Sequence, residues 1–159
     1  MRSFLEESVL VRAAPEVVFA LYADVSGWAG WDPDVRSASI DGPFVTGAVG
    51  SLTPMKGPRN RIAFVSVVPG RSFDVEARLP LCTLRFEHVL NREGQCTRVT
   101  HRVLFRGPLA LLFGWLVGRG IRAGMPGTLA GLRAACEVQP QTPNQALQHG
   151  AVVTAIPAP

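Results

Sequence analysis

His88 and His101 are the side chains through which the interior of this chain could do acid–base chemistry. Each lies in a segment of alternating apolar residues, CTLRFEHVLN for His88 and CTRVTHRVLFRG for His101. Imidazole titrates at about pH 6.5, so a pair can act as general base and general acid, as an aldol cyclisation or a dehydration needs. The same pair can equally be wall residues satisfied by backbone, water or a bound molecule. His149 lies in the C-terminal stretch and is given no role. Cys82 shares the alternation class of His88 but stands roughly 20 Å along the strand from it, at about 3.3 Å per residue. That is too far for one ion, and no metal is expected. Trp28 and Trp31 either pack a short helix against the core or stack on a ligand. The chain has no GxGxxG after a strand, no Walker loop and no GxSxG elbow, so no cofactor is expected.

These residues need elements to position them. Residues 4–12 read as a strand, and Pro15 opens a helix whose buried stripe is Val17, Val18, Leu21 and Tyr22. Asp24 or Ser26 is placed to cap a short helical segment carrying Trp28 and Trp31, which Asp32-Pro33-Asp34 ends. Six strands follow between residues 35 and 107, joined as an antiparallel meander. Alternation puts Leu84, Phe86, His88 and Leu90 on one face, and Val99, His101, Val103 and Phe105 on the matching one. With Glu93-Gly94 as a two-residue turn, Phe86 lies opposite His101 and His88 opposite Val99, so the histidines sit diagonally. Around Pro69-Gly70, Phe64 pairs with Val75, Ile62 with Ala77 and Ser66 with Phe73. The sheet is then charged on one side and apolar on the other except for His88, His101 and Ser66.

A one-sided sheet needs a cover. After Gly107-Pro108 a helical period runs through Leu109, Leu112, Leu116, Ile121, Met125, Leu129 and Leu132, ending near Glu137. Pro126 is expected to kink or break this helix. Its six glycines, Gly114, Gly118, Gly120, Gly124, Gly127 and Gly131, either let the helix approach the sheet closely or leave space beneath it. The expected lining of that space is Trp28, Trp31, Phe64, Ser66, Phe73, Val75, Leu84, Phe86, Val99, Val103, Leu116 and Met125. Residues 1–137 form one domain by this reading, and residues 138–159, which lose periodicity and charge, form a tail outside it.

The 159 residues carry fifteen arginines, one lysine and twelve acidic residues, a net charge of +4. The arginines are scattered rather than gathered in a stripe with aromatics, which argues against nucleic acid as a partner. Cys82, Cys96 and Cys136 have no CxxC spacing, and the first residues show no signal peptide, so a reducing, cytoplasmic setting is expected. The longest apolar run, Leu109 to Gly118, is about half of the roughly 20 residues that a membrane span requires.

The strand, the PEVVFALYADVSGWAGWDPDV segment, the meander, FEHVLNREGQCTRVTHRVLFRGPLALL and the closing LAGLRAACE together resemble the START-like helix-grip superfamily. The resemblance is to the SRPBCC group labelled polyketide cyclase/dehydrase or lipid-transport-like, and it covers about residues 4–137. It rests most on Asp24, Val25, Trp28 and Trp31, on His88, on the run Thr97 to His101, and on Gly107-Pro108. The resemblance implies an α+β fold, in which a seven-stranded curved antiparallel sheet wraps a long C-terminal helix with two short helices after the first strand. It also implies a small hydrophobic ligand, such as a lipid, polyketide or aromatic compound, held between sheet and helix. It fixes no reaction. Three readings stand at this point. One is a carrier or sensor of a hydrophobic molecule, as a monomer or homodimer. Another is a cofactor-independent cyclase or dehydratase using His88 and His101. The third is a partner-binding domain with a filled interior.

Overall fold

In the computed structural model, residues 4–138 are described. The alternating segments form β1 (Leu5–Val11), β2 (Val35–Asp41), β3 (Val49–Pro54), β4 (Asn60–Val68), β5 (Ser72–Leu79), β6 (Cys82–Glu93) and β7 (Cys96–Arg106). They make one antiparallel sheet in the order β1-β7-β6-β5-β4-β3-β2. Every neighbouring pair except β1–β7 is thus joined directly along the chain. Helix α1 (Pro15–Ala23) carries Pro15 in its first turn, where the missing N–H costs nothing. A 3-10 segment, Val25–Gly30, follows it. Asp24 occupies the cap position of that segment without a side-chain capping bond. Its carboxylate instead accepts from Ser26 Oγ at 2.9 Å.

The C-terminal helix is not continuous. It divides into α2 (Ala110–Leu116) and α3 (Gly118–Val138), and Pro126 sits inside α3 without ending it. Pro126 is on the exposed face, where the carbonyl it leaves unpaired is open to water. The break falls at Val117, where Gly114 and Gly118 bring the helices down over Phe4 and Phe105. The glycines of α3 serve close approach. A Cβ at Gly131 would strike the backbone carbonyl of Trp31, and one at Gly124 would strike the Asp34 carboxylate. Asp32, in the same loop, accepts from Thr128 Oγ1 of α3 at 2.8 Å and from the Asp34 N–H at 3.0 Å. The segment after Trp31 is therefore latched to α3. Of the expected tail, residues 138–159, Val138 closes α3 and residues 139–159 lie outside the described residues.

Two apolar clusters fill the space between the sheet and α3. The larger gathers Tyr22, Trp28, Phe64, Phe73, Val75 and Val99 with Leu132 and Cys136 of α3. The smaller is Leu84, Val103, Met125 and Leu129, with Phe4, Phe86, Phe105 and Ile121 packed against it. The far side of the sheet is charged, and Arg85 is held there among Asp74, Glu76 and Glu87.

Candidate functional site

The histidines meet more directly than alternation alone implied. Glu93 pairs with Cys96, so the two-residue turn is Gly94-Gln95 and not Glu93-Gly94. Glycine takes the positive φ of 61° at the first turn position, the one a type II′ hairpin turn demands. This shift places His88 opposite His101, Phe86 opposite Val103 and Leu90 opposite Val99. The imidazoles lie edge to face with centroids 4.4 Å apart.

A second register difference removes Ser66 from this face. β4 bulges at Val65, between the pairs Phe64–Val75 and Ser66–Asp74, so Ser66 turns to the charged side and Val67 takes its place opposite Phe73. On the β1 side, Glu7 is the register partner of His101 and shares the inner face.

Tyr22, the single tyrosine of the chain, closes the cluster from α1. Its hydroxyl and His101 Nε2 share a hydrogen bond of 2.6 Å, and its ring packs on Phe73, His88 and Trp31. His88 stacks on Phe73 at 4.0 Å and its Nδ1 donates to the Phe73 carbonyl at 3.3 Å. A carbonyl only accepts, so neutral His88 carries its proton on Nδ1 and a lone pair on Nε2. Trp28 donates from Nε1 to the Tyr22 carbonyl at 2.9 Å, whereas the buried Nε1 of Trp31 has no hydrogen-bond partner among the described residues.

Burial decides the charge of this cluster. It holds His101 down to about 4, and it lowers His88 well below the ordinary imidazole value, with His101 adding to the effect. Burial also raises the Tyr22 hydroxyl. All three groups are neutral at pH 7, and neither histidine then holds the extra proton that a general acid donates.

The other expected lining residues divide by cluster. Trp28, Phe64, Phe73, Val75 and Val99 surround or adjoin the histidines, with Trp31 at the margin. Leu84, Phe86, Val103 and Met125 belong to the smaller cluster. Leu116 does not point inward, because the break at Val117 interrupts the helical period that placed it there. It is 61% exposed.

Aromatic rings pack around the histidines, and two openings lie away from them, one of about 690 Å³ beside α1 and the Pro69-Gly70 turn. The other, a groove of about 820 Å³, runs between the end of the sheet and helices α2 and α3. Phe4, Phe105, Leu111 and Trp115 give it apolar walls, and Arg119 and Arg122 stand at its side. Phe4 and Phe105 meet edge to face at 5.3 Å and also pack on the smaller cluster, so they stand between the groove and the buried Val103 and Met125. Sequence reasoning passed over Tyr22 as a site residue, and Phe4, Trp115, Arg119 and Arg122 as well. A lone tyrosine on a buried stripe was the available signal, since a buried hydroxyl requires a partner.

A seven-stranded curved antiparallel sheet gripping a long C-terminal helix defines the START-like helix-grip class. The chain belongs to the family described as polyketide cyclase/dehydrase and lipid transport, whose model matches residues 4–137. No curated protein matches. Among solved structures, the chain is similar to the Zhui aromatase/cyclase from Streptomyces sp. R1128, with a TM-score of 0.64, 17% identity, and 84% of this chain and 92% of that one covered. It is also similar to a STAR-related lipid transfer protein from Xanthomonas axonopodis, with a TM-score of 0.61, 19% identity, and 85% and 88% covered. Ara h 8.0201 gives a TM-score of 0.67 at 14% identity, with 84% and 96% covered. At these identities the likeness is one of fold.

Proposed function

We propose that this protein binds a small hydrophobic molecule, a lipid, polyketide or aromatic compound, between its sheet and C-terminal helices, as a carrier or sensor. The observation that carries the proposal is the groove beside Phe4 and Phe105, which has room for such a molecule and whose two phenylalanines rest on the Leu84–Val103–Met125–Leu129 cluster. Apolar walls with few polar groups are what a site for an apolar molecule needs. Tyr22, His88 and His101 sit among the rings of the larger cluster and do not line this groove.

The cyclase or dehydratase reading uses His88 and His101 as base and acid. The neutral state of both histidines, each already engaged in a hydrogen bond, favours the carrier or sensor over it.

Native mass spectrometry of the protein purified from its own host, with extraction of what is released, tests the proposal. The expected result is an apolar molecule bound at one per chain, whose occupancy falls when Phe105→Trp narrows the groove. An empty protein that also fails to take up a hydrophobic fluorescent probe, anilinonaphthalene sulfonate, would overturn it. If a compound is found and turned over, and His88→Gln or His101→Gln abolishes turnover while affinity persists, the enzyme reading replaces the carrier.

A further inference from the structure

Helix α2 is apolar on both sides, and one side is uncovered by the other described residues. Gly114 faces inward against Phe4 and Phe105. On the other side Leu111 is 91% exposed, Trp115 62%, Leu116 61% and Leu112 50%. At 3.6 residues per turn, these four occupy one arc of about 140°. A contiguous apolar ridge of this kind marks an interaction surface, because single exposed leucines are common but four apolar neighbours on one helical face are not.

The charges around the ridge indicate what covers it. Between Glu93 and Glu137 the chain carries six arginines and no acidic residue. Arg98, Arg102 and Arg133 are paired with Glu93, Glu6 and Glu137. Arg119 and Arg122 are exposed, form no ion pair among the described residues, and line the same groove as Leu111 and Trp115. Arg122 is steadied by Phe4, with its guanidinium 5.0 Å from the ring centroid. Leucines and a tryptophan flanked by unpaired arginines are the composition of a surface that lies in the boundary of an anionic bilayer. A second copy of the chain fits less well, since a self-complementary contact through this face brings positive groups against their own counterparts.

We infer that the α2 ridge, with Arg119 and Arg122, docks this protein on the surface of an anionic lipid bilayer. The contact is peripheral, since no described helix is long and apolar enough to cross a membrane. It does not depend on the groove holding a ligand. It does place the groove mouth, which shares Leu111 and Trp115, at the lipid surface.

The test is partition of the full chain onto vesicles of phosphatidylcholine alone and of phosphatidylcholine and phosphatidylglycerol in equal parts. The expected result is binding to the anionic vesicles with a blue shift of Trp115 fluorescence, weakened by added salt. Arg119→Gln should lower the partition constant about fivefold. Leu112→Gln combined with Leu116→Gln, two ridge residues that do not line the groove, should lower it on the order of a hundredfold. Circular dichroism identical to the parent protein confirms that these exposed substitutions leave the fold intact. Absence of binding to either vesicle overturns the inference, and so does equal binding to both. A dimer in sedimentation that Leu116→Gln dissolves would assign the ridge to a second copy instead. Loss of vesicle binding with groove binding retained, or the reverse, separates this contact from the ligand reading.

Discussion

His88 and His101 face each other directly across β6 and β7, edge to face, in a setting where neither carries charge. The unfolded chain binds a proton at His101 near pH 6.5, while the folded chain does so only at about 4. Between those values protons favour the unfolded state. Stability is therefore expected to fall as pH drops from about 6.5 to about 4, by about 3 kcal/mol from His101, and His88 acts in the same direction. Urea unfolding at intervals across this range checks it, and His101→Gln should flatten the slope.

Tyr22→Phe keeps the ring that packs on Phe73 and His88 but deletes the hydroxyl bonded to His101. The imidazole then loses a buried partner, at an expected cost of about 1–3 kcal/mol. An unchanged denaturation midpoint would show that His101 is satisfied in another way.

Two glycines of α3 should respond in opposite senses to alanine. Gly120 has nothing near its missing Cβ, so Gly120→Ala should stabilise by up to about 1 kcal/mol through helix propensity. Gly131→Ala gains the same propensity but drives a methyl group into the Trp31 carbonyl, and should destabilise by about 1–3 kcal/mol. Thermal melts of the two variants make the comparison.

The three thiols should separate by reactivity. Cys96 is partly exposed, while Cys82 and Cys136 are buried, and burial pushes the Cys136 thiol up to about 11. At pH 8 a thiol reagent is expected to label Cys96 in the native protein and to reach Cys136 only on unfolding. Peptide mapping after timed quenching distinguishes them.

Much of the fold was legible because alternation with period two survives any error in register. Leu84, His88, Val99 and His101 all lie on the inner face, as their spacing requires. What alternation cannot supply is the offset between strands. The placement of Gly94 in its turn moved His88 from a diagonal to a facing position, and the extra residue at Val65 carried Ser66 to the other side. Nothing in the residue types at Val65 announces that bulge. Leu116 failed for a related reason, since helical periodicity was extended through Val117, where packing over Phe4 interrupts it. The Tyr22–His101 bond joins residues from opposite ends of the domain and leaves no local pattern. The groove depends on where Phe4 settles against Phe105 and α2, which is equally non-local.

The strand order carries a consequence for how the chain assembles. Five of the six pairings join strands adjacent in sequence and close through short connections, but β1 brings Leu5–Val11 to a partner at Thr97–Val103. Loop-closure entropy and contact order make that pairing the slow one, so the meander can zip before its first strand docks. On the ribosome, Val9 and Val11 have no β7 to pair with until it has been synthesised, and the amino-terminal strand is expected to be the last part of the sheet to find its partner.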